Sequence, residues 1–262
     1  MRVVLLALMT ISFIKAGVYY AKLEPVETIT VKAEVSGKAV VVKKEQEGKI
    51  ANGLIIKIDD KLDRIDFNNT KESLKLTKQM IKLNQEILPS LKQNMQKKLS
   101  LYNKVAPLNS TSLNQKYTLF NAYVSAKSQY SSTKEKILNL KNQKVTLQQK
   151  IAALKDKIAK KNIKANNLYL YNLNISKGEF VNIGMIVATL QDISKAKLTL
   201  FLDADDLKDI DKKSIYLDGK KTDLKFSKIW KVADSNNISS YKAEIILKPI
   251  DRFSKLIKVE IK

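Results

Sequence analysis

Leu119, Tyr123, Ala126, Tyr130, Thr133, Ile137, Leu140, Lys144, Leu147, Ile151, Leu154 and Ile158 decide how this chain folds. The steps between them alternate four and three, and only Lys144 is charged. A buried position every three and a half residues is the seam of a coiled coil. An upstream arm repeats the spacing less regularly through Leu74, Thr77, Ile81, Asn84, Leu88, Leu91, Met95, Lys98, Tyr102 and Val105. Pro89 lies within it and is expected to kink that helix or break its hydrogen-bond ladder. Between the arms stands Val105-Ala-Pro-Leu-Asn-Ser-Thr-Ser112, a turn in which Ser110 or Ser112 offers a cap to the returning helix. Residues 61–162 contain no glycine. They are expected to form an antiparallel helical hairpin with its tip at about 105–112, far longer than an ordinary connection.

The flanking segments have β texture. Before the hairpin, Thr28–Val35 alternates, and Ala39–Val42 and Leu54–Ile58 are short β-branched runs bounded by Gly37, Gly48 and Gly53. After it come Val181–Leu190, Leu198–Leu202, Ile215–Gly219, Leu224–Trp230, Tyr241–Leu247 and Leu256–Ile261, with a short helix expected over Asp203–Asp209. Two segments look alike. Glu47-Gly-Lys-Ile-Ala-Asn-Gly53 leads into one apolar strand, and Lys177-Gly-Glu-Phe-Val-Asn-Ile-Gly184 leads into another. Two such halves can pair into one β-sandwich with the hairpin inserted between them. Their glycines, Gly178 and Gly184 included, serve turn geometries that other residues resist.

Composition narrows the chemistry. The 262 residues include 48 Lys and Arg against 26 Asp and Glu, for a net charge of +22, with no His and no Cys. Cys/His zinc sites, thiol nucleophiles, histidine bases and disulfides are therefore excluded. The charge suggests a polyanionic partner, nucleic acid or an anionic membrane surface. Arginine, the better phosphate reader, occurs only at Arg2, Arg64 and Arg252, which favours a solvated lysine surface instead. Asp203, Asp205, Asp206, Asp209 and Asp211 form an acidic cluster without EF-hand spacing, and a solvated turn explains them better than a cation site. At the N-terminus, Arg2 precedes the apolar run Val3–Ile14, which Lys15 closes. Twelve helical residues span about 18 Å, short of a bilayer core. Residues 1–21 read as an export signal or, without a small-x-small cleavage site, as an anchor running to Ala21.

At this point the chain resembles periplasmic adaptor subunits, the membrane fusion proteins of the HlyD/AcrA type. Gly178-Glu-Phe-Val-Asn-Ile-Gly184, running on to Leu190-Gln-Asp-Ile-Ser194, is similar to that family's Gly-x-x-Val-x-x-Gly and Leu-x-Asp-x-Ser patterns. The resemblance implies an elongated α+β protein. A split lipoyl-like β-sandwich (22–60 with 163–195) would receive the coiled-coil hairpin (61–162), and a β-barrel domain would follow (196–262). It implies a subunit that is not an enzyme and binds no cofactor. Lys61 stands near the lipoyl-lysine position of true lipoyl domains, but it opens into a helix, so no lipoylation is expected. Implied partners are an inner-membrane transporter (RND first, ABC second), a TolC-like outer-membrane channel, and further copies in a hexameric ring. The implied location is the periplasm, at the inner membrane. Family tips that dock on such channels carry Arg, Leu and Ser. Here Leu101, Val105 and Ser112 occupy that spacing, with only the serine retained. Hinges are expected at Arg64–Phe67 and Ile163–Asn166. The competing reading is a basic coiled-coil scaffold or nucleic-acid-binding protein without a transport role, which leaves Val3–Ile14 and the repeated glycine turns unexplained.

Overall fold

The computed structural model describes residues 17–233, 237 and 239–262, so the reading of Val3–Ile14 lies outside the described residues. The chain divides into two compact units, one of residues 1–57 with 164–262 and one of residues 58–163.

The second unit is the helical hairpin. Helix α1 spans Lys61–Val105 and helix α2 spans Leu113–Lys160. Every one of the twelve stripe positions from Leu119 to Ile158 is buried or half-buried, and most residues between them are exposed. In α1 the seam takes Leu74, Thr77, Ile81, Asn84, Leu88, Leu91 and Met95, but Lys98 is exposed and Leu99 replaces it. Met95 to Leu99 to Tyr102 steps four and then three, so two steps of four meet at Met95. Met95 to Tyr102 is still seven residues, so the repeat keeps its phase and the uncharged Leu99 takes the place of Lys98 in the seam. α1 is unbroken through Pro89. Pro89 and Gln85, whose carbonyl loses its donor there, are both exposed, so the gap in the ladder is on the wet side. Toward the hairpin base the seam turns polar. Thr70 and Thr77 are buried, and each hydroxyl donates to the carbonyl four residues back (Asp66, 2.6 Å; Ser73, 2.9 Å).

The first unit is a mostly antiparallel sheet. Its strands are β1 Gly17–Lys32, β2 Gly37–Val42, β3 Ile50–Ile58, β4 Asn162–Leu173, β5 Phe180–Val181, β6 Ile186–Asp203, β7 Ile215–Leu217, β8 Lys220–Thr222, β9 Phe226–Ile229, β10 Ser240–Leu247 and β11 Leu256–Ile261. They pair in the order β5-β2-β3-β4-β6-β1-β11-β7-β8, with β10 between β6 and β9. These pairings leave the sheet open, so strand pairing does not close the barrel expected over 196–262. Two strands are longer than the sequence suggests. β6 pairs with β1 over Ile186–Leu198 and with β10 over Ala196–Asp203. β1 pairs with β6 from Leu23 onward and with β11 before it. Gly17–Ala21, expected as the end of an anchor, is therefore strand. Its alternation buries Ala21 and leaves Tyr20 exposed. β4 was not expected as a strand. Asn-rich and polar, it hides in sequence, but it buries Ala165, Leu170 and Leu173. Of Asp203–Asp209, expected as a helix, Asp203 ends β6 and residues 204–209 are a run of turns, followed by a single 3-10 turn over Ile210–Lys212.

The buried face of the β10–β6–β1–β11 region comes from strict alternation. Leu198, Leu200, Leu202, Ile245, Ala243, Val259, Ile261 and Leu23 form one apolar cluster.

Candidate functional site

Of the expected turn glycines, Gly37, Gly48, Gly178 and Gly184 lie where the two halves interlock, whereas Gly53 lies inside β3 and not at a turn between strands. Gly48 and Gly178 have φ of +76° and +94°, and each opens a short strand. The Gly48 amide donates to the Leu170 carbonyl (2.9 Å), and the Leu170 amide donates to Lys49 (2.9 Å). The Gly178 amide donates to Ala39 (2.8 Å), and the Ala39 amide donates to Glu179 (2.8 Å). The same two-bond clasp thus occurs twice, each half holding a strand of the other. Positive φ costs an L side chain about 1–2 kcal/mol, which is why glycine stands at both turns. Gly53 and Gly184 also have positive φ (+88° and +83°), and Gly37 opens β2.

Leu190-Gln-Asp-Ile-Ser194 has its own task. Pro25 pairs with Ala196 and Glu27 with Asp192, so Ile193–Lys195 bulges out of the ladder. Asp192 Oδ1 accepts from the Ser194 amide at 2.9 Å. Hydrogen bonds from Ser194 hold the Asp192 carboxyl below the usual carboxylate range. The motif pins the bulge at which β6 passes from one set of partners to the next.

At the hairpin tip, α1 ends at Val105, and the Leu108 amide donates back to the Val105 carbonyl (3.1 Å). Ser112 is the N-cap of α2, and its Oγ accepts from the Gln115 amide at 3.3 Å. Ser110 takes no such role among the described residues. A Ser112→Ala chain should lose about 1 kcal/mol of hairpin stability, read as faster amide exchange at Gln115. Val105 is half-buried. Leu101 is 45% exposed and lies off the seam, which passes through Leu99 and Tyr102.

Sequence reasoning missed a larger tip feature. Leu113, Tyr117, Phe120 and Val124 recur at steps of four, three and four, one position from the seam, and all are exposed, Leu113 at 67% and Tyr117 at 58%. Phe120 is braced by Tyr102 and Tyr123, with ring centroids 5.3 and 6.4 Å away. The signal was present as a second heptad stripe beside the first.

At the hairpin base, Asp60 precedes α1, and Lys61, expected near a lipoyl-lysine position, is its first residue. The buried Asp63 carboxylate accepts from Lys157 at 2.8 Å and from buried Lys161, whose ammonium also donates to the Asp59 carbonyl at 2.6 Å. Burial pushes the Asp63 carboxyl up, but the bonds from Lys157 and Lys161 outweigh it and hold the group below its ordinary value. The expected hinges are not loops. Arg64–Phe67 is inside α1 and Ile163–Asn166 is inside β4. In the acidic run, Asp205 pairs with Lys208 and Asp209 with Lys212, and no group of three metal-ligating side chains gathers among the described residues. No described helix is long and apolar enough to cross a membrane.

No protein-family profile and no curated protein matches the chain. Solved structures do. MacA from Actinobacillus actinomycetemcomitans superposes with a TM-score of 0.71 at 17% identity, over 94% of this chain and 78% of its own. A putative efflux transporter from Bacteroides eggerthii gives 0.51 at 13% identity, over 94% and 68%. The membrane fusion protein from Streptococcus pneumoniae gives 0.50 at 11% identity, over 94% and 97%. With its interlocked glycine turns, pinned β6 bulge and inserted hairpin, this chain has the fold of the membrane fusion, or periplasmic adaptor, proteins.

Proposed function

We propose that this chain is a periplasmic adaptor subunit of a tripartite efflux or secretion system. It links an inner-membrane transporter, of RND type in the first instance and ABC type in the second, to a TolC-like outer-membrane channel. It works as a mechanical part, without catalysis or cofactor. The two glycine-clasped halves act as a split lipoyl-like domain, the strands after residue 196 act as the adaptor's barrel domain, and copies assemble into a hexameric ring. The protein resides in the periplasm against the inner membrane, held there through its N-terminus. The observation that carries this reading is the hairpin, a seam maintained over both arms that ends in the exposed stripe Leu113, Tyr117, Phe120 and Val124. An apolar stripe left open beside a completed seam suits a helical partner. Leu101, Val105 and Ser112 lie at the same end and belong to the same proposed contact, Ser112 through the shape it gives the turn.

A photoreactive group at Leu101 or Tyr117 should crosslink an outer-membrane channel in intact cells, and capture of no such channel by exported, folded protein would sink the docking claim. Leu113→Glu with Tyr117→Glu should leave folding unchanged, because both side chains are exposed. Export should fall roughly tenfold or more, since contact residues of this kind contribute about 1–2 kcal/mol each. A periplasmic reporter fused at the C-terminus separates this reading from the scaffold alternative, which predicts no export.

A further inference from the structure

One end of the β unit gathers features that the adaptor reading leaves unused. Gly17 pairs with Ile261, and a Cβ at Gly17 would collide with the Asp206 carboxylate. Tyr19 donates to Asp206 and accepts from the Asp203 amide at 3.2 Å. Its hydroxyl is pushed up to about 12, by burial first and by its bond to Asp206, so it stays a donor. Asp203 pairs with Ser240 of β10, and the Trp230 amide donates to the Lys242 carbonyl at 2.9 Å. Gly17, the Asp203 turn and the distal end of the β9–β10 pair therefore share one edge of the unit.

That distal end is chemically distinctive. Trp230, the only tryptophan of the chain, has the Lys228 ammonium 4.3 Å from its ring centroid and that of Lys242 at 4.6 Å. Lys231 follows and is exposed, and Val232 is 79% exposed. Of nearby carboxylates, Glu244 engages Lys242 at 3.5 Å. In the acidic turn alongside, Asp205 pairs with Lys208 at 2.9 Å, Asp209 with Lys212 at 2.8 Å and Asp206 with Lys213 at 3.9 Å. An amphipathic ring flanked by ammonium groups, with an exposed aliphatic side chain two residues further along the chain, matches the headgroup layer of a bilayer.

We propose that the β9–β10 end, through Lys228, Trp230, Lys231, Val232 and Lys242, seats on an anionic bilayer surface. Trp230 and Val232 sit at headgroup depth and the lysines sit on lipid phosphates. The position of the N-terminal run supports this occupant. Val3–Ile14 ends three residues before Gly17, a reach of about 10 Å even when fully extended. With that run in a membrane, Gly17 and the edge it shares with Val232 are held at the interface. The proposal rests on that part of the adaptor reading, and the two can fail separately.

The test uses the full chain with vesicles of phosphatidylcholine alone or mixed equally with phosphatidylglycerol. Trp230 emission is the readout, and being the only indole it reports this site alone. The expected result is a blue shift and protection from an aqueous quencher with anionic vesicles, weakened by high salt, and little change with neutral ones. Lys231→Glu should lower the apparent affinity at least fivefold, at about one kcal/mol per charge near the surface. Val232→Asp should abolish the blue shift. Both positions are exposed, so folding should not change. If the chain pellets with both vesicle types while Trp230 stays unchanged, the N-terminal run alone does the binding and the proposal is overturned. It is equally overturned if Val232→Asp behaves as the parent, or if Trp230 is protected only by a solubilised transporter. If the chain binds no vesicle, this proposal and the membrane-anchoring reading fall together, while channel crosslinking at Tyr117 still reports on the tip.

Discussion

A Leu198→Ala chain should lose about 2–5 kcal/mol of stability and melt well below the parent. Leu198 is fully buried and faces Leu23 of β1 on one side and Ile245 of β10 on the other. It lies where β6, just past the Ile193–Lys195 bulge, is held by both neighbours at once. Truncation there removes the transfer energy of three heavy atoms and leaves a cavity that two ladders prevent from collapsing. Calorimetry or chemical denaturation would check it. The hairpin should be less affected, so exchange at seam amides near Ile137 and Leu140 should change less than exchange at Leu198 and Leu200. A loss under 1 kcal/mol would mean that this cluster is not the core of the unit.

The second large effect is expected at the hairpin base. Asp63→Asn should cost about 2–3 kcal/mol, because it strips the counter-charge from a buried ammonium. Lys157 is half-exposed and can turn to water, but Lys161 keeps only the Asp59 carbonyl. The Ile58 amide, which donates to the Lys161 carbonyl at 2.9 Å, is the local reporter by hydrogen exchange. Replacing the pair together, Asp63→Leu with Lys161→Met, should recover most of the loss, since neither charge then remains buried alone. The pH dependence follows from the depressed Asp63 value. The contribution is complete above the ordinary carboxylate range and is lost as pH falls through the lower value of the folded state. The Asp63→Asn hairpin should lack this acid-dependent component.

The α2 seam was legible in full, because burial along a helix follows a period that local spacing records. Lys98 was misplaced for the same reason. A strict heptad extrapolated past Met95 assigns a lysine to the seam, and only packing against α2 selects Leu99. Pro89 carries a strong local signal for a kink, yet its effect depends on which face it occupies. β4 was invisible because its buried residues, Ala165, Leu170 and Leu173, are sparse among asparagines, and its order comes from partner strands far along the chain. The Asp63–Lys161 clamp spans nearly a hundred residues, so no local pattern announces it. The tip stripe could have been found, but the dominant seam one position away masked it.

Sequence alone determined the hairpin, its turn, the paired glycine motifs and the exclusion of thiol, histidine and zinc chemistry, all set by short-range periodicity, backbone geometry or residue type. Tertiary structure decided the rest. Strand partners made β1 and β6 single long strands, and charge burial paired Asp63 with Lys161. The edge shared by Gly17, Tyr19, Trp230 and Val232 exists only because distant strands lie side by side. Those outcomes depend on which distant surfaces exclude water together, and that information is spread over the whole chain.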